Sequence, residues 1–156
     1  MGQGSVATMS GETDLVRLLS RMSPELRPGV FVFVAVDGRP TDIEVLASVV
    51  EAEGISLVVS RQDADRFGLR YDFLAGWITL QVHAALAAVG LTAVVSAALA
   101  QAGISCNVIA GYHHDHLLVP LDRVEEALTI LRDVAAGRDQ PCCEPIHLRD
   151  FGGDGA

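Results

Sequence analysis

Across residues 77–134 the spacing of apolar side chains alternates between a period of about two and one of about 3.6, with glycine or proline at most of the changes. Residues 77–83 alternate: Ile78, Leu80 and Val82 point one way, Thr79, Gln81 and His83 the other, as in a strand. Gly90 then opens a helix whose stripe is Leu91, Val94, Val95, Ala98, Leu99 and Ala102, and Gly103 stops it. Residues 104–110 and 116–119 read as strands joined by a turn over 111–115. Pro120 starts a last helix, striped by Leu121, Val124, Leu128, Leu131 and Val134 and ended by Gly137. The order strand–helix–strand–strand–helix is most of a split βαβ, or ferredoxin-like, unit. It predicts an α+β fold with antiparallel sheets carrying helices on one face.

The first half repeats the theme less cleanly. Leu15, Leu18, Leu19 and Met22 form a helical stripe that Thr13 or Asp14 is placed to cap. Ser23-Pro24 and Pro28-Gly29 bracket the helix exit, and the apolar run 30–36 suits a strand buried on both faces. Residues 43–50 and 55–59 read as two more strands around a turn at 51–54, and 61–68 as a short helix. Both 57–63 and 118–122 run from an apolar strand straight into a helix start with an aspartate. This degenerate repeat predicts two modules, 12–72 and 73–136, between a disordered start (1–11) and a flexible tail (137–156). Each half lacks a strand of the complete unit. That predicts strand exchange between the halves or pairing with another chain.

Charge narrows the function classes. Twenty acidic residues against eleven basic ones leave a net charge of −9. Nucleic acid and anionic membranes call for a basic stripe, which this chain lacks. Every basic residue is arginine, so Schiff-base chemistry on lysine and a lysine-dependent phosphate loop are excluded. Half the residues are hydrophobic, enough for a sizeable core, yet no uninterrupted apolar run reaches about 18 residues. The first ten residues carry no basic start or apolar segment, which argues against a secretory signal and predicts a cytoplasmic location. Cys106, Cys142 and Cys143 are an odd set that reads as free thiols in such a compartment.

The stretch 88–104, with Gly90 at the turn, an apolar helix and Ala102-Gly103-Ile104, resembles the first turn, helix and second strand of an ACT domain. Residues 77–80, Gly90-Leu91-Thr92, 104–116, 11–15 and 22–26 resemble a group of bacterial proteins with paired ACT-like domains and no assigned activity. The resemblance spans roughly residues 11–134. It implies two ACT-type modules and a small-molecule effector of the amino-acid class, held at a domain or subunit interface. It further implies a homodimer acting as a regulatory sensor, with no cofactor and no catalytic domain. Where many ACT domains carry an acidic residue near the end of the first strand, this chain has Val82-His83-Ala84.

Three groups of residues are candidates for a site. Val89, Gly90, Leu91 and Thr92 stand at a helix N-terminus, where free amides receive a carboxylate. The same residues also read as an ordinary turn with Thr92 as the cap. With His83 they make the first group. Asn107 is the second, a polar side chain in an apolar strand that needs partners if buried. The third is His113-His114-Asp115-His116: Asp115 is a candidate for ligand contact, and the imidazoles are good zinc donors. A tight turn makes consecutive side chains diverge, so a polar turn competes with a metal-dependent enzyme. No metal or cofactor motif is present. Asp150-Phe151-Gly152 spells a kinase tripeptide without the surrounding kinase motifs.

Overall fold

A computed structural model describes residues 11–38 and 40–138. The order is α1 (Leu15–Arg21), β1 (Pro24–Val36), β2 (Ala47–Glu51), β3 (Gly54–Ser60), α2 (Arg61–Arg66), β4 (Leu74–Leu80), α3 (Leu91–Gln101), β5 (Asn107–Ala110), β6 (Asp115–Pro120) and α4 (Val124–Ala135). A 3₁₀ turn at Leu121–Arg123 leads into α4. The expected tail from residue 139 on, with Cys142, Cys143 and Asp150–Gly152, lies outside the described residues.

All six strands join one antiparallel sheet in the order β2-β3-β1-β4-β6-β5. Strand alternation sorts the core into two faces. On one face Val32, Val34, Leu57 and Val59 pack with Ala64 of α2. On the same face Ile78, Leu80, Leu117 and Val119 pack beneath α1, α3 and α4, with Leu18, Leu99 and Leu131 fully enclosed. The opposite face carries Phe31, Val58, Ala75, Trp77 and Leu118.

The expected shortage of strands is met within the chain. β1 pairs with β3 through residues 31–36 and with β4 through 24–27 and 31–32. Helix α1 lies in the first half of the sequence, but its Leu18, Leu19 and Met22 join the core of the second. Asp14 is the cap: its carboxylate accepts the Arg17 amide at 2.9 Å.

Four sequence expectations shift. Pro28-Gly29 lies inside β1, which starts at Pro24 rather than residue 30. Pairing runs from Arg27–Trp77 to Phe31–Ala75, so three residues of β1 stand opposite Gly76 and form a bulge. β2 starts at Ala47 instead of 43, because Ile43 and Val45 pack against the Val32–Leu57 cluster while 40–46 follows an irregular path. β4 covers Leu74–Leu80 and ends before His83, since the Val82 amide bonds back to the Leu80 carbonyl at 2.8 Å and turns the chain. β5 starts at Asn107 rather than 104, because the Ile104 amide closes the end of α3 on the Leu99 carbonyl.

Candidate functional site

The segment after β4, residues 81–90, is tied to the residues that precede α1. The Glu12 amide donates to the His83 carbonyl at 2.9 Å, and the Ala85 amide to the Glu12 carbonyl at 3.0 Å. Facing this segment are the N-terminus of α3 and the β5–β6 turn. Between them lies a cavity of about 90 Å³ lined by Ala84, Ala88, Leu91, Thr92, Gly111 and Asp115, among others. It shares Ala84, Ala85, Leu86 and His113 with a space of about 240 Å³. That space shares Gly11 and His83 with an outer recess of about 780 Å³ bordered by Glu12, Arg21, Gln81 and His114. The three form one groove.

Leu91 and Thr92 line the inner cavity, with Asp115 across from them. Thr92 is not the cap: Gly90 occupies that position, and its carbonyl accepts the Val94 amide at 2.9 Å. Gly90 is required for two reasons. Its φ of 108° is left-handed, and a Cβ there would meet Leu15 Cδ2 at 2.8 Å. Its bare surface therefore receives a side chain of α1 and does not line the cavity. Val89 is 83% exposed and also lies outside the lining.

His83 stands in the outer groove, edge-on to His114 with ring centres 4.9 Å apart and 5.7 Å from His113. His114 Nδ1 lies 3.3 Å from the Val82 carbonyl oxygen. His116 turns to the other face, where Nδ1 lies 3.1 Å from Thr79 Oγ1 and the ring 5.2 Å from that of Trp77. β6 begins only at Asp115, so His114 stays in the turn beside His83 while His116, on the strand, faces Trp77, and the histidine cluster is split. Among the described residues no three His, Cys, Asp or Glu side chains are placed to hold a metal. Asn107 also lies on the open face, on an edge strand, and its amide donates to the Leu118 carbonyl at 3.5 Å. The structure does not bring it to the groove.

Burial pushes the Asp115 carboxyl above its ordinary range, against the pull of His116 and His114. Burial, then His114, holds His116 below the usual imidazole value. Burial raises the Cys106 thiol to about 11, so it stays protonated and is a poor nucleophile. The sequence reading missed Glu12, Arg21, Gln81 and the alanines of 84–88. Only the density of small residues after a strand marks that stretch as one where backbone approaches backbone.

Residues 10–76 match the ACT domain, and residues 73–133 match it again. A Vibrio cholerae protein of unknown function, described as a possible transport protein, is 44% identical over 78% of this chain and 95% of its own, with a TM-score of 0.71. The chain belongs to the ACT-domain family. Its two adjacent ACT domains share their fold with aspartokinase alpha and beta subunits (TM-score 0.54, 16% identity, 72% of this chain and 96% of that one). They share it too with the regulatory subunit of aspartate kinase from Thermus thermophilus (TM-score 0.52, 10% identity, 71% and 95%). No curated protein matches the sequence. Among the described residues no helix is long and apolar enough to cross a membrane.

Proposed function

We propose that this tandem ACT protein is a regulatory sensor that binds a small amino acid in the groove beside α3, catalyses no reaction, and passes its occupancy to a partner protein. The reading rests on one observation: Thr92, the first turn of α3 and Asp115 converge on a cavity that opens into a larger groove. A carboxylate is stabilised at first-turn amides. An ammonium group is stabilised by Asp115, whose ionisation is otherwise opposed by burial. The inner cavity of about 90 Å³ fits such a head group, and the adjoining 240 Å³ leaves room for a side chain. The division into modules 12–72 and 73–136 is supported by the ACT matches at 10–76 and 73–133. The likeness to a regulatory subunit of aspartate kinase supports a regulatory role. A homodimer is part of the same proposal.

A thermal-shift screen of the common amino acids at millimolar concentration tests this. A ligand at a hundred times its Kd stabilises the folded state by about 2.7 kcal/mol. At least one amino acid is expected to raise Tm, and the Thr92→Val variant to lose most of the rise. A flat screen overturns the reading.

A further inference from the structure

A second cavity, of about 570 Å³, lies at the β1 bulge, lined by segments other than those of the groove. Its apolar floor is Val30, Phe31 and Leu46. The bulge makes the opening: Pro28, Gly29 and Val30 face the single residue Gly76, and Gly29 takes a φ of 116° that a side chain would strain. Arg27 and Glu44 stand on the rim. The Arg27 guanidinium is fixed over two aromatic rings, 5.3 Å from the centre of Trp77 and 5.4 Å from that of Phe31. The other rim charges are engaged. Arg61 lies 3.4 Å from Asp65 Oδ2, the Tyr71 hydroxyl donates to Asp65 Oδ1 at 2.6 Å, and the Ser60 hydroxyl donates to Asp63 at 2.9 Å. Among the described residues no ion pair engages Arg27 or Glu44.

From this arrangement we infer a second binding site that takes a small zwitterion with an apolar side group: its carboxylate on Arg27, its ammonium on Glu44, its side group on Phe31 and Leu46. A guanidinium already resting on two rings gives up less conformational freedom than a free one when it grips a carboxylate. The volume falls within the range of small-molecule pockets, roughly 300–1,000 Å³. The site is independent of the groove beside α3 and stands whether or not that groove binds.

The test is a titration of the full chain with L-leucine, read by backbone amide shifts of residues 29–31, 44–46 and 60–63 and by the emission of Trp77, the only tryptophan. Leucine is expected to move both in a saturable way. Leucinamide, which lacks the carboxylate, and 4-methylpentanoate, which lacks the ammonium, are each expected to bind about ten-fold or more weakly. Arg27→Gln is expected to lose the same factor by amide shifts, and Glu44→Gln gives a second, exposed variant. Unmoved shifts at tens of millimolar L-leucine, equal binding of the analogues, or shifts confined to residues 84–92 and 110–115 would each overturn the inference.

Discussion

Asp115 lies half-buried with His114 and His116 on either side in sequence, and burial outweighs their attraction. Its ionised form is therefore the costly one, and an ammonium ligand would relieve that cost. Affinity for an amino acid should rise with pH as Asp115 ionises, through a window above the ordinary carboxyl value of 3.8. Isothermal titration from pH 4 upward checks this; Asp115→Asn should bind weakly and with that pH dependence gone. His116 shifts the other way. Its folded form resists protonation, so the unfolded chain binds more protons and stability falls as pH drops below 6.5 towards the lowered folded value. Urea melts at pH 8 and pH 5.5 should show that loss, and His116→Gln should show less of it. The sequence indicated both residues as a cluster. It did not indicate that His114 and His116 part, because the direction of a side chain in the turn before β6 is set by the turn and not by strand alternation. Asn107 was legible as a polar residue on a strand, but not as one at an edge.

Helix α1 shows what periodicity carries and what it omits. The spacing of Leu15, Leu18, Leu19 and Met22 gives the helix and its buried stripe. Which core the stripe joins is decided by β1, whose first four residues pair with β4 before the bulge. Pro28-Gly29 looked like punctuation between elements, since the same dipeptide serves a helix exit and a bulge. Likewise Ile43 and Val45 gave a strand-like run, but their apolar side chains fill the Val32–Leu57 cluster from an irregular path. In the second half Gly90, Gly103, Pro120 and Gly137 mark the bounds of the helices, which were read closely, whereas the end of β4 and the start of β5, which no glycine or proline marks, each shifted by three residues. Leu18 is 0% exposed in the core of that half. Leu18→Ala should cost about 2–5 kcal/mol in a denaturant titration. Hydrogen exchange should place the loss in α3 and α4, far along the sequence, rather than in β2 and β3, whose apolar residues belong to other clusters than those of α1.

The whole molecule has one sheet and a shared central strand, so two family matches do not imply two folding units. Trp77 and Leu118 lie against Phe31 and Val58 across the middle of the sheet. The fragment 73–138 keeps β4, α3, β5, β6 and α4 but lacks α1 and the neighbouring strand β1. Without them Leu80, Leu99 and Leu117 lose the cover of Leu18, Leu19 and Met22. A domain of that size has little apolar area to spare. The fragment alone should therefore give no cooperative thermal transition by circular dichroism. Adding a peptide of residues 11–28 should restore one, because it returns both the helix and the pairing of residues 24–27 with 77–80. A fragment that melts cooperatively by itself, with dispersed amide shifts, would show instead that the second ACT match is a unit complete within its own borders and that α1 only decorates it.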